Sequence, residues 1–265
     1  MAGGPRRNAI AIAPTTPAAF FHSRHARLSG RFPITVLLSN MIPQGARRWL
    51  GQFRRFRSSW NGRPIAEYLD PDWHEQTHFI RSQQIVVEVL AARPGPLDVL
   101  DVPCGNGRLY RALHATGRPF TYSGLDATPK IVEAARTLYP GIAFQLGDVE
   151  ALPFPDAAFD VVVMQHLLRH LRSYKRAVRE LLRVSHGDVY IVEKGIATGR
   201  DHRECFWSPD DQSWFWVNRW APDKLCAFAR ANGAATARLI NNADTDDRGG
   251  QYIYRFTKEA PPLTI

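Results

Sequence analysis

A glycine-containing turn with an acidic residue at its start follows the first buried apolar segment of the sequence. The run Asp101-Val-Pro-Cys-Gly-Asn-Gly107 comes after the apolar residues from Leu97, and a helical pattern begins at Arg108. Glycines between a strand and a helix let a ligand approach the backbone closely, and the start of the helix offers amide N–H groups. The spacing of Gly105 and Gly107 differs from the G-x-G-x-x-G run of dinucleotide binders. The residues therefore predict a ligand-binding turn of another kind.

Two further acidic residues follow the next two predicted strands. Asp126 lies nineteen residues beyond Gly107 and ends the second strand, where a carboxylate accepts both ribose hydroxyls of an adenosine. Asp148, in the run Gly147-Asp-Val-Glu150, ends the third strand and could accept from the exocyclic amine of an adenine. Each acid alone could simply cap the start of a helix. Three of them at successive strand ends favour a site for an adenosine-containing ligand.

The elements that must position these acids alternate between apolar strands and helices. Five strands separated by helices predict a parallel sheet covered on both faces. Two more strands, Thr236–Ile240 and Tyr252–Phe256, are joined by a polar loop and predict an antiparallel pair. The predicted fold class is α/β: a doubly wound, mostly parallel, Rossmann-like sheet of seven strands with an antiparallel C-terminal strand pair. The first five strands are expected at Leu97–Val102, Phe120–Leu125, Ala143–Leu146, Phe159–Met164 and Val189–Val192.

With these motifs and the run from Gly147 to Val163, the chain resembles the class I S-adenosylmethionine (SAM)-dependent methyltransferases of the broad type 11, or UbiE-like, group. The resemblance covers residues 68–194 and, more loosely, the rest to Thr257. It implies SAM as cofactor and a binding site shared among four stretches of chain. The cofactor contacts implied are Asp101, Pro103, Cys104, Gly105, Asn106 and Gly107 for the methionine portion, Asp126 and Ala127 for the ribose, Asp148 and Val149 for the adenine, and Gln165 and His166 for the inner face.

Two positions depart from the family's pattern. Pro103 stands where the first glycine of the usual D-x-G-x-G-x-G run would lie, and Arg183-Val-Ser-His-Gly187 replaces the commoner Pro-Gly-Gly ending. Proline stiffens the turn and leaves the two later glycines in place. Cofactor binding is therefore still expected.

Two histidines after the fourth strand are candidates for a general base. The sulfonium of SAM is already activated, so such an enzyme mainly aligns the nucleophile, methyl and sulfur, and a base is optional. If the acceptor is a hydroxyl, His166 or His170 could take its proton. The alternative for His170 is a structural histidine on the following helix.

An aromatic segment at about 196–220 follows the fifth strand. Four of the seven tryptophans lie within residues 200–220. Such a surface suits a lid or a pocket for a small-molecule or glycan-like acceptor, and core packing against an added helix is the competing explanation. The candidate acceptor contacts are His202, Trp207, Trp214 and Trp216.

Charge divides the chain into two parts. Residues 1–66 hold eleven arginines, no lysine and no acid, so the remainder carries a net charge of −2 although the whole carries +9. We expect residues 1–60 to be a disordered basic arm or a leader, and residues 61–258 to form the methyltransferase domain. A mitochondrial transit peptide is one alternative for the arm, and weak contact with a membrane surface through Trp49–Arg57 is another. Three cysteines and no long apolar span otherwise predict a cytoplasmic protein.

Several functions are disfavoured by what the motifs lack. Met164-Gln-His-Leu167 is not the loop that receives a flipped base, so no base-specific nucleic-acid partner is expected. No metal is expected, because the acids Asp244, Asp246 and Asp247 fall in the C-terminal hairpin loop. We expect methyl transfer to oxygen, nitrogen or carbon. A non-catalytic SAM-binding protein and, disfavoured by the glycine spacing, a NAD-linked oxidoreductase are the alternatives.

Overall fold

The computed structural model describes residues 63–70, 80–194, 199–208, 213–242 and 251–258. The basic arm 1–60 and the acids at 244–247 lie outside the described residues. The helices are α1 Ile65–Tyr68, α2 Ile80–Ala91, α3 Arg108–His114, α4 Pro129–Leu138, α5 Lys175–Val184 and α6 Pro222–Ala231, with a 3₁₀ turn at Leu168–His170. The strands are β1 Leu97–Asp101, β2 Phe120–Asp126, β3 Ala143–Leu146, β4 Phe159–Gln165, β5 Ser185–Lys194, β6 Cys205–Ser208, β7 Ser213–Trp216, β8 Thr236–Asn242 and β9 Gln251–Thr257.

Seven of these strands form one sheet in the order β3-β2-β1-β4-β5-β9-β8. The first five are parallel, and β9 is antiparallel to both β5 and β8. The predicted α/β class, the seven strands and the antiparallel C-terminal pair are thereby confirmed. Parallel strands place their carboxyl ends at the same edge of the sheet, so the ends of β1, β2, β4 and β5 lie side by side.

Apolar layers cover the sheet on both faces. One layer combines β5 residues such as Val189 and Ile191 with α5, α6 and Trp220. The other combines Tyr190 and Val192 with α2 and α3. Alternate residues of β5 thus enter opposite layers, as expected for a strand covered on both sides. Among the described residues, no helix has the length and apolar character needed to cross a membrane.

The aromatic segment after β5 contains a β-hairpin that the tryptophan pattern did not reveal. β6 pairs antiparallel with β7, and the register places Phe206 opposite Phe215 and Trp207 opposite Trp214. Tryptophan and phenylalanine crowd both strands without polar alternation, so periodicity did not distinguish strand from helix. Residues 209–212 and 195–198 lie outside the described part of the chain.

A close approach between β5 and β4 requires glycine at position 187. A Cβ atom there would lie 2.2 Å from the backbone oxygen of Asp160, and backbone cannot yield as a flexible side chain can. We expect Gly187→Ala to lower the free energy of unfolding by about 3 kcal/mol, the upper range for overpacking. Thermal melts should show a fall in melting temperature of roughly 5 to 10 °C. Gly199→Ala, where a Cβ meets nothing within 4 Å, is the matched control and should melt like the wild type.

Candidate functional site

The glycine turn between β1 and α3 is held against the end of β2. The amide of Cys104 donates to the carbonyl of Leu125 at 2.9 Å, and the amide of Gly107 donates to the carbonyl of Cys104 at 3.0 Å. Cys104 is buried, and the half-buried Pro103 follows a cis peptide bond. These contacts fix the turn at the carboxyl edge of the sheet.

The two glycines of this turn have different roles. Both have positive φ, +53° at Gly105 and +89° at Gly107, a region that favours glycine. A Cβ at Gly107 would meet the rings of Tyr139 and Phe144 at 2.8 and 2.9 Å. A Cβ at Gly105 would meet nothing within 4 Å. Gly107 therefore serves packing, whereas Gly105 leaves its backbone open to a ligand.

Asp101 places a buried carboxyl group beneath the turn. Its side chain is 1% exposed, and Oδ2 accepts a hydrogen bond from the Tyr122 hydroxyl at 2.7 Å. Burial raises the pKa of Asp101 to about 8, with a further contribution from the nearby Asp126 charge. Within the described residues, Oδ1 is buried without a hydrogen-bond partner. Such an orphaned acceptor is the arrangement expected where a ligand supplies the donor.

Asp126 joins the second strand to the turn. Its Oδ2 accepts from the amide of Gly105 at 3.2 Å, and its Oδ1 accepts from the amide of Thr128 at 2.9 Å. Burial raises its pKa, and these amides partly offset the shift. Ala127 is exposed beside it. Asp101, Gly105 and Asp126 are thus brought together, as the strand-end argument predicted.

The side chain of Asn106 is engaged by the segment around α1. Its Nδ2 donates to the carbonyls of Tyr68 at 3.1 Å and Asp70 at 2.9 Å, and the side chain is buried. It therefore ties the turn to the segment around α1. The contact joins residues more than thirty positions apart, and no local signal in the sequence marks it.

The third predicted acid lies in a different environment. Asp148 is exposed, and its Oδ1 accepts from the amide of Glu150 at 2.9 Å. This bond lies within a turn and is not the helix cap considered as the alternative, because the described residues between β3 and β4 contain no helix. The adjacent Val149 is buried at 5% exposure. Gln165, half-buried, ends β4 at the same edge of the sheet.

His166 directly follows β4 and has a strained backbone conformation. Its φ is +58°, in the left-handed region that non-glycine residues rarely occupy, and its amide donates to the carbonyl of Val192 at 2.8 Å. The side chain is half-buried. Strain of this kind is often kept at functional sites.

His170 is held by the aromatic segment. Its Nδ1 lies 2.7 Å from the carbonyl of Trp216, and because a carbonyl only accepts, Nδ1 carries the proton. Burial, followed by the charge of Arg169, lowers the pKa of His170 to about 4. The ring is therefore neutral at pH 7, and this contact is structural.

Residues 216–220 are hydrogen-bonded to the 3₁₀ turn after β4. The amide of Asn218 donates to the carbonyl of Arg169 at 2.7 Å, and its Nδ2 donates to the carbonyl of Leu171 at 2.7 Å. Trp220 Nε1 donates to the carbonyl of Leu168 at 3.0 Å. The segment predicted from its tryptophans to form a lid or pocket is thus hydrogen-bonded at the carboxyl edge of the sheet, the same edge that holds the glycine turn.

The other predicted acceptor contacts are only partly described. The His202 ring pairs with Glu204, and the His202 amide donates to the carbonyl of Arg219 at 2.8 Å. Trp216 is half-buried, and the guanidinium of Arg203 lies 5.2 Å from its ring centroid. The side chains of Trp207 and Trp214 lie outside what the structure describes.

One buried carboxyl group near the site was not among the predicted residues. Glu193, 1% exposed, lies at the end of β5, and neither carboxyl oxygen has a hydrogen-bond partner among the described residues. Burial raises its pKa to about 7, although Arg169 acts in the opposite direction. The sequence signal that could have found it is an acid ending an otherwise apolar strand. The described residues contain no cluster of three or more histidine, cysteine or acidic side chains placed to hold a metal.

Comparisons with known proteins agree with this architecture. A family model described as a methyltransferase domain matches residues 100–192. A probable S-adenosylmethionine-dependent methyltransferase of Mycobacterium tuberculosis is 33% identical over 117 residues, 44% of this chain and 42% of that protein. Ajmaline N-methyltransferase of Rauvolfia serpentina is 32% identical over 125 residues, 44% of this chain and 40% of that protein. The chain therefore spans about two fifths of the length of the curated relatives it matches.

A solved structure extends the similarity over more of the chain. The similarity to 1,6-didemethyltoxoflavin-N1-methyltransferase of Burkholderia thailandensis, solved with bound 1,6-didemethyltoxoflavin and S-adenosylhomocysteine, covers 91% of this chain and 98% of that one. Its TM-score is 0.51 at 14% identity, which supports a shared fold. The match of residues 100–192 to the methyltransferase domain model confirms the resemblance inferred from the motifs.

Proposed function

We propose that this chain is a SAM-dependent methyltransferase that acts on a small-molecule acceptor. The observation that carries the proposal is the juxtaposition of the open backbone at Gly105, the orphaned Oδ1 of Asp101 and the carboxylate of Asp126. All three lie within the segment that matches the methyltransferase domain. SAM, when bound, supplies a methyl group that is already activated on a sulfonium.

The donor set fits this cofactor. The buried Oδ1 of Asp101 suits an ammonium donor such as that of the methionine portion, and the open turn at Gly105 admits its close approach. The carboxylate of Asp126 can accept from ribose hydroxyls in addition to its two amide donors, because an ionised carboxylate has about four acceptor sites. Asp148 and Val149 remain the residues proposed for the adenine.

The acceptor is proposed to be a small molecule with a nucleophilic oxygen, nitrogen or carbon. Two of the similar proteins are named as nitrogen methyltransferases of small molecules. The 3₁₀ turn and the segment 216–220 lie beside the ends of β4 and β5, where such a molecule would enter. We also propose a reducing, cytoplasm-like compartment, because Cys104 and Cys226 are buried free thiols.

Calorimetric titration of the purified chain with SAM, S-adenosylhomocysteine and NAD tests the proposal. We expect micromolar binding of SAM or its product and none of NAD. Asp126→Ala should weaken that binding by at least about tenfold, since it removes charge-assisted hydrogen bonds to the ligand.

Asp160→Ala is the matched control, because Asp160 lies at the amino end of β4, on the opposite edge of the sheet, and also accepts a backbone amide, that of Asp98 at 2.8 Å. It should bind SAM like the wild type. Preference for NAD, or no binding of either SAM or its product by a folded chain, would contradict the proposal.

A further inference from the structure

The carboxyl group of Glu193 is placed next to the exit of β4. Glu193 follows Val192, whose carbonyl accepts the amide of His166, and its Cα pairs with that of Tyr252 on β9. Paired residues of antiparallel strands share a face of the sheet. This face is the one covered by the 3₁₀ turn and Trp220. Glu193 therefore lies at the carboxyl edge, beneath the turn that follows the strained His166.

Two side chains that lie against the 3₁₀ turn have buried oxygen atoms with no hydrogen-bond partner among the described residues. Both carboxyl oxygens of Glu193 and Oδ1 of Asn218 are buried and lack hydrogen-bond partners within the described residues, and each residue is 1% exposed. The 3₁₀ turn links them, because Asn218 donates to the carbonyls of Arg169 and Leu171, while the backbone amides of Leu168 and Arg169 lie close enough to the Glu193 carboxyl to lower its pKa. Leaving buried acceptors unsatisfied is unfavourable, so such groups are retained where a ligand supplies donors.

The charged and titratable groups facing Glu193 come from two elements. Arg169 on the 3₁₀ turn favours the carboxylate, and Tyr252 and Tyr254 on β9 lie close enough for the Glu193 charge to raise their pKa values. Burial raises the pKa of Glu193 itself to about 7. A group with this pKa exchanges its proton readily at neutral pH, which is what a general base requires. His170, with its pKa lowered to about 4, is less suited to the task.

We propose that Glu193, flanked by Asn218, binds the N–H or O–H group of the methyl acceptor and takes its proton. The inference rests on the proposed function. In the transfer, the acceptor heteroatom forms a bond to the methyl carbon as the carbon–sulfur bond breaks, and the electron pair of that bond stays on sulfur. The proton of the heteroatom passes to a carboxylate oxygen of Glu193. The acceptor class is therefore an amine, ring N–H or hydroxyl compound.

Binding of matched fragments to the full chain loaded with S-adenosylhomocysteine tests the inference without turnover. The probes are phenol against anisole and indole against N-methylindole, pairs that differ in one donor group, measured by ligand-observed NMR. We expect each donor to bind at least about tenfold more tightly than its methylated counterpart, the increment of a hydrogen bond to a charged group. Equal affinities within each pair, or no binding of any fragment, would overturn the inference.

Two variants and a control assign the effect to this residue. Glu193→Met removes the acceptors at similar size and should abolish the preference for the donor fragments. Glu193→Gln keeps one acceptor oxygen and should retain part of the preference. Glu133→Met on the exposed face of α4 is the control and should match the wild type. S-adenosylhomocysteine should bind all four proteins equally, so loss of that binding in the wild type would instead count against the proposed function.

Discussion

Gly105→Ala is expected to weaken SAM binding by about 10- to 100-fold while leaving the chain folded. No atom lies within 4 Å of a Cβ built at this position, so the new methyl group meets no protein atom. It would instead project where the cofactor must approach the backbone, and overpacking of one methyl costs about 1 to 3 kcal/mol. The positive φ of +53° adds roughly 1 to 2 kcal/mol of backbone strain to the folded state. Calorimetry and thermal melts measure the two effects separately.

Gly117→Ala is the matched control for the strain alone. Gly117 has a φ of +68°, and a Cβ there also meets nothing within 4 Å, but it lies beyond the end of α3, away from the turn. It should lose similar stability and keep the affinity of the wild type. If Gly105→Ala and Gly117→Ala bound SAM equally well, the open backbone at Gly105 would not be the cofactor site.

The main layers of the fold could be predicted from local patterns. Buried parallel strands are short apolar runs, so Ala143–Leu146 was predicted with the bounds that the structure has. β5 was predicted too short, as Val189–Val192 rather than Ser185–Lys194. The polar residues at the start of β5 pair with β4 and β9; Ser185, for example, lies opposite Phe159. A search for apolar runs does not detect such pairing.

Residues at strand ends could be predicted, whereas contacts between distant segments could not. Asp101 and Asp126 were recognised because each ends a strand at a position defined by the sheet. Glu193 was missed because its burial depends on the 3₁₀ turn and on residues 216–220, which reach it only in the folded chain. The role of Asn106 was assigned to the cofactor, but its amide is engaged by Tyr68 and Asp70.

The buried carboxyl of Asp101 is expected to make stability depend on pH in a direction opposite to that of an ordinary acid. Its pKa rises from 3.8 to about 8 on folding, chiefly through burial. The folded state therefore holds a proton that the unfolded chain releases above pH 4. The contribution to stability is complete below pH 3.8 and is lost as pH rises towards 8, by about 1.4 kcal/mol per pH unit.

Asp101→Asn mimics the protonated carboxyl and should remove this dependence. As the pH rises from 5 to 7, the unfolding free energy of the wild type should fall by about 2 to 3 kcal/mol relative to that of the variant. Urea denaturation at each pH measures this difference. Glu180→Gln is the control of opposite sign, because hydrogen bonds from Arg183 lower the pKa of Glu180 below 4.5. Its stability difference from the wild type should be constant over pH 5 to 7 and should shrink only as the pH falls below 4.5. A constant difference for Asp101→Asn over the same range would show that Asp101 is ionised in the folded protein.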